Sequence, residues 1–280
     1  MAPLLLTLGR GVLTGLGKRP SPGADLPRAR LTRTAVRVEP ARVAAYARVC
    51  GFAPGGRELP LTYPHILGFP LAARLMAARA FPLPLLGLVH TSVAIRGRGP
   101  LGAADRPDLS VYAAGLRPHR RGTEVTVVTE ARVDGELLWE DHSTYLARHR
   151  VPDAGGRRSP DPAGRGPDAA PGGGDLPLVA RWELAAGLGR RHARVSGDYN
   201  PIHLHPLTAR PLGFPRAIVH GMWTVARCAA EHPGATGVTA DFRQPILLPS
   251  TVGYAAAGDR FEVRSGGRVH VTGTVTAPGR

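Results

Sequence analysis

The chain has 280 residues, 43% of them apolar, enough for one large core or two ordinary ones. Its formal net charge is +15 and its pI is near 11.3. Lys18 is the only lysine, the arginines are scattered along the whole length, and aromatic residues make up 5%. A nucleic-acid binder concentrates charge on one face and interleaves stacking rings, so that class is set aside. The surplus of Arg, Ala, Gly and Pro reads as coding bias, and a positive surface merely suits an anionic partner.

No apolar run approaches the roughly 18 to 20 residues of a membrane span. The mildly apolar stretch from Pro3 to Leu16 is interrupted by Arg10 and by glycines, which is not the pattern of a secretory signal. It reads as an arm over residues 1–30. Cys50 and Cys228 lie one in each half, with no CxxC. They are expected to be buried thiols of a protein in a reducing cytoplasm.

In chain order, Pro40 to Val49 has helical spacing, and a second helix is predicted from about Tyr63 to Ala80, with Pro70 kinking it or resetting its start. Strand-like runs follow at Leu88–Ile95, Leu109–Leu116, Glu124–Val133 and Leu137–Ala147, and Asp134-Gly135 is a hairpin signal. The formal GxGxxG of Gly97, Gly99 and Gly102 contains Pro100 and precedes no helical pattern, so it reads as a surface loop. Arg117, His119, Arg120 and Arg121 lie at a turn between strands.

Residues 151–176 are dominated by Pro, Gly, Asp, Arg and Ala, which predicts a mobile linker. Beyond it the order repeats. Val179–Leu184 reads as a strand, Ala185–Val195 as a helix and Gly221–Ala230 as a second helix. Strands are predicted at Gly237–Gln244, Val252–Ala256, Phe261–Arg264 and Val269–Thr276. Helix first, then an antiparallel meander, occurring twice, is an α+β pattern in which each sheet wraps one long helix.

The chemistry is concentrated in Ser196–Trp223, SGDYNPIHLHPLTARPLGFPRAIVHGMW. Gly197 releases the backbone at a helix end, and Pro201 pushes Asn200 toward extended geometry. The turn is expected to bring His203 back to Asp198, where a carboxylate and an imidazole can grip one water for general acid/base work. His220-Gly221-Met222 opens an apolar helix whose free N–H groups and dipole suit a developing oxyanion. A metal pair of His203 with His205 lacks a clear third ligand. His65 and Tyr63 are expected to pack the first-half helix.

S-G-D-x-N-P-I-H followed by A-I-V-H-G-M resembles the hydratase-2 motif of the MaoC-like dehydratase family. Asp241-Phe242-Arg243-Gln244-Pro245 and Leu248-Pro249-Ser250 extend the resemblance. Leu59-Pro60-Leu61-Thr62-Tyr63-Pro64-His65 and Phe69-Pro70-Leu71 resemble the degenerate first half of two-domain members. The resemblance implies a double hot-dog fold, with a degenerate unit at 31–150 and a catalytic unit at 177–280. It implies reversible hydration of trans-2-enoyl thioesters to (3R)-3-hydroxyacyl thioesters in fatty acid metabolism, a lyase reaction.

Carried over, Asp198 and His203 match the catalytic pair and Gly221 the oxyanion glycine. Asn200, Pro201, Phe214, His220 and Met222 fall at substrate-side positions. His192 and His205 depart from the family pattern. No metal or cofactor is implied beyond the coenzyme A or phosphopantetheine that the substrate carries. The expected partner is an acyl-CoA or acyl-carrier-protein thioester, with a homodimer left open. Two alternatives stand beside this one, a hot-dog thioesterase and a non-catalytic acyl-thioester-binding protein.

Overall fold

Alternating burial along the strands decides how the chain is layered. A computed structural model of the protein describes residues 18–53, 55–85, 87–150 and 176–277. The apolar stretch at 3–16 and the linker prediction at 151–175 therefore lie outside the described residues.

The first half opens with a three-residue strand, β1 (Leu31–Arg33), which its short polar sequence did not announce. Helices α1 (Pro40–Cys50) and α2 (Tyr63–Ala77) follow, then strands β2 (Leu88–Gly97), β3 (Asp108–His119), β4 (Gly122–Val133) and β5 (Glu136–Arg148). The second half comprises β6 (Leu178–Leu184), α3 (Leu188–Ser196), the short α4 (Pro206–Ala209), α5 (Gly221–Ala230), β7 (Gly237–Phe242), β8 (Ser250–Ala257), β9 (Arg260–Ser265) and β10 (Arg268–Thr276).

α2 runs through Pro70 but stops at Ala77, short of the expected Ala80, because Ala78 takes extended geometry (ψ 147°). Beyond it, Phe81 and Leu83 turn into the core. α3 starts three residues later than its pattern suggests, since Ala185–Gly187 form a turn closed by Leu188 N–H to the Ala185 carbonyl (3.0 Å). Asp134 (φ +50°) and Gly135 (φ +84°) are both left-handed, the geometry of a type I′ hairpin between β4 and β5.

The ten strands among the described residues form one sheet in the order β1-β3-β4-β5-β2-β7-β10-β9-β8-β6. Two antiparallel five-stranded meanders meet edge to edge where β2 pairs with β7, from Ser92 opposite Asp241 to Arg96 opposite Gly237. What sequence alone reads as two sheets side by side is therefore one continuous sheet, and that joint covers an edge each half would otherwise expose. The helices lie on one face, α2 against β3 and β4, α5 against β7, and α1 against both α3 and α5.

One apolar core passes through both halves, from Tyr46, Tyr63, Phe81 and Leu109 to Trp182, Trp223, Tyr254 and Phe261. The Trp223 indole N–H donates across the halves to the Val49 carbonyl (2.8 Å). The GxGxxG glycines sit at the end of β2 and in the loop after it, with Gly102 bridged to Glu58, and build no phosphate-binding turn. Among the described residues, no helix is long and apolar enough to cross a membrane.

Candidate active site

α3 ends on Gly197, which is left-handed (φ +83°) and returns its N–H to the Ala193 carbonyl. The chain then closes two consecutive side-chain turns. Asn200 N–H donates to Asp198 Oδ1 (3.0 Å), and Ile202 N–H donates to Asn200 Oδ1 (3.4 Å). Asn200 is extended (φ −56°, ψ 125°) before Pro201, and Pro201–His203 form one turn of 3-10 helix. The predicted reversal is thus present, and the Asx-turns hold it.

His203 is buried, and its Nδ1 lies 2.8 Å from the Ile218 carbonyl. A carbonyl only accepts, so Nδ1 carries the proton and Nε2 presents a lone pair. Ile218 is itself fixed, its N–H on the Ile202 carbonyl (3.0 Å) and its neighbour Val219 N–H on the Ile246 carbonyl (2.9 Å). Gly189 in α3 makes the approach possible, because a Cβ there would stand 1.9 Å from the His203 carbonyl oxygen. Burial, helped by the neighbouring His220, pushes His203 down to about 3, so the ring is neutral at ordinary pH.

His220 directs Nε2–H to the Asp198 carbonyl (3.0 Å), with Asp198 Oδ2 3.8 Å away. Its ring stacks on His203 with centroids 3.7 Å apart and planes at 23°. A carboxylate oxygen of Asp198 and one ring nitrogen of each histidine lie within 4.8 Å of one another. Two hydrogen bonds of roughly 2.8 Å reach across such a gap through one water. A metal ion fits poorly. It needs a free lone pair from each imidazole at about 2.1 Å, whereas His220 Nε2, the nitrogen that faces Asp198, already gives its proton to the Asp198 carbonyl. His205 is exposed, and its Nδ1 accepts Leu207 N–H at the start of α4, so it forms no pair with His203.

Gly221 opens α5. Trp223 and Thr224 N–H turn back to the His220 carbonyl, and among the described residues the N–H groups of Gly221 and Met222 have no acceptor. They leave a donor pair at the positive end of a ten-residue helix. The Phe242 ring lies over Gly221, 2.8 Å from where a Cβ would be.

The remaining sequence-selected residues divide. Asn200 and His220 are structural partners of the pair, Met222 is packed in the core, Phe214 is half-buried with its N–H on the Ala209 carbonyl (3.2 Å), and Pro201 is exposed in the turn. In the first half, α1 ends on left-handed Gly51 as α3 does on Gly197, but Phe52 follows where Asp198 does. Among the described residues of this turn there is no second carboxylate–imidazole pair.

Sequence reasoning missed a polar set that the first half brings alongside. His65 Nδ1 pairs with Asp141 Oδ2, both groups buried, and Ser143 Oγ donates to Asp141 Oδ1 (2.7 Å). His90 stacks between Tyr145 (centroids 4.6 Å) and His65 (6.4 Å) and tilts against Phe242 (4.9 Å). The signal was β5 itself. Trp139, Asp141 and Ser143 alternate onto one buried face, and a carboxylate in phase with a buried tryptophan marks an inward polar position.

The family described as the MaoC like domain matches residues 188–277. Over 261 residues the chain is 35% identical to 3-hydroxyacyl-thioester dehydratase X of Mycobacterium tuberculosis, covering 90% of each. The chain belongs to the MaoC-like dehydratase family. Within that family, the crystal structure of HtdX from the same organism aligns with a TM-score of 0.74 at 33% identity, over 89% of this chain and 100% of that one. Another Mycobacterium tuberculosis protein, described as having a double hot-dog fold, aligns at 0.52 with 13% identity over 90% and 98% of the two chains, a likeness of fold. The ten-stranded sheet with its helices on one face is a double hot dog.

Proposed function

We propose that the protein hydrates trans-2-enoyl thioesters reversibly to (3R)-3-hydroxyacyl thioesters, with Asp198 and His203 as the acid/base pair. The observation that carries this reading is the span between the Asp198 carboxylate and the imidazoles, within 4.8 Å and so of a size for one water. The name of the dehydratase from Mycobacterium tuberculosis supports the same chemistry.

In the hydration direction a water donates to Asp198 Oδ2 and to the bare Nε2 of His203. As its oxygen bonds to C3, its proton passes to the pair, and the pair returns a proton to C2. One H and one OH are added, and nothing is oxidised or reduced. The thioester oxygen gains enolate character as C3 is attacked, and the N–H groups of Gly221 and Met222 are placed to hold it. His220 keeps Asp198 in register through its backbone carbonyl. The reading calls for no metal or redox cofactor. The second half carries the chemistry and the first half walls the acyl side. Cys50 and Cys228 are buried free thiols, in keeping with a reducing cytoplasm.

The test follows enoyl absorbance and free thiol together on trans-2-butenoyl-CoA. Wild-type protein should lose absorbance without releasing thiol, and Asp198→Asn should slow this by about a hundredfold or more, roughly 3 kcal/mol in barrier. Thiol release would mean a thioesterase, and unchanged turnover in the variant would remove Asp198 from the chemistry.

A further inference from the structure

The substrate's carrier is large and hydrophilic and stays in solvent, so the acyl tail has to run inward from C3. Asp198 marks the open side, its side chain 27% exposed. Inward, a chain of contacts leads away from the reacting atoms. Gly221 is covered by Phe242, Phe242 touches His90, and His90 stacks on His65, which is paired with Asp141. Phe242, His90 and Tyr145 are half-buried, whereas His65 (7% exposed) and Asp141 (0%) are buried. Asp198 lies close enough for its charge to be felt at both His90 and Tyr145.

We infer that this polar set closes the acyl end of the site, so that the enzyme selects short enoyl thioesters, with the His65–Asp141 pair as the stop. The inference rests on the hydratase reading. A tail longer than a few carbons would have to lie against a carboxyl group and an imidazole held together in the interior. It would also press on His90 Nε2, which is shut off from solvent with no hydrogen-bond partner among the described residues. A methylene packed against that nitrogen supplies no hydrogen bond and holds it in an unsatisfied state. Parting His65 from Asp141 would leave a buried polar group alone, which is costlier still. A butenoyl group ends before either penalty applies.

The experiment compares kcat/KM on trans-2-butenoyl-CoA and trans-2-dodecenoyl-CoA for the full chain. Wild-type protein should favour the short substrate by about tenfold or more. The double substitution His65→Leu with Asp141→Ala keeps the summed volume close to that of the native pair, strands no charge, and should cut that preference by about tenfold, chiefly through a lower KM for the long substrate. His90→Phe removes the unpartnered nitrogen while keeping the stack, and should move the ratio the same way should the double variant fail to fold. Equal or better turnover of the dodecenoyl substrate by wild-type protein would overturn the inference. So would an unchanged ratio in a folded variant. Hydration of neither chain length would overturn the hydratase reading itself, and this inference with it.

Discussion

A single proton decides what His203 can do. With Nδ1–H committed to the Ile218 carbonyl, only Nε2 is left for a water, and burial keeps that nitrogen unprotonated. The orientation depends on Gly189, where any Cβ would collide with the His203 carbonyl at 1.9 Å. The colliding atom is backbone, so the loop has to move. Gly189→Ala should therefore lower kcat by about a hundredfold, as misplacement by about 1 Å does. The same substitution in a free helix position stabilises. Steady-state kinetics beside a urea unfolding curve check this, and a variant of wild-type kcat would show that the close approach is not needed.

At the scale of elements, the readable parts are those whose cause is local. The strands at 88–97 and 122–133, the hairpin at Asp134-Gly135 and the helix start at Gly221 follow from periodicity and turn chemistry, and they stand within a few residues of their expected limits. Asp198 and His203 were legible for the same reason, since they stand five positions apart with two Asx-turns between them. The dyad of His65 and Asp141 was not. Its members are 76 residues apart and meet only because α2 crosses the face onto which β5 turns its alternate side chains. The β2–β7 joint was hidden likewise, because strand pairing across halves leaves no short-range mark. Pattern predicts elements, whereas docking between them is a tertiary outcome.

At the scale of the whole molecule, the histidines set the response to acid. His90 and His203 are held down at about 3, and His192 and His220 are lowered too, in each case chiefly by burial. The unfolded chain protonates these rings near their ordinary value of about 6.5. Below that pH the unfolded state binds protons that the folded state refuses, and each such group removes about 1.4 kcal/mol per pH unit. Stability is complete above about pH 6.5 and declines as pH falls toward 3. Tm should hold steady from pH 8 to 7 and fall increasingly below 6.5. His192 has no hydrogen-bond partner on either nitrogen among the described residues, so His192→Phe should flatten that decline. Equal slopes in the two proteins would mean that His192 already carries a proton when folded.

The central claim is that Asp198 and His203 act as one unit on one water, and a double-mutant cycle on butenoyl-CoA hydration tests it most directly. Groups that share a step are grossly non-additive. The Asp198→Asn, His203→Ala double variant should therefore be no slower than the slower single variant, within about threefold. Losses that multiply across the cycle would mean the two side chains serve separate steps, and the shared-water mechanism would be wrong.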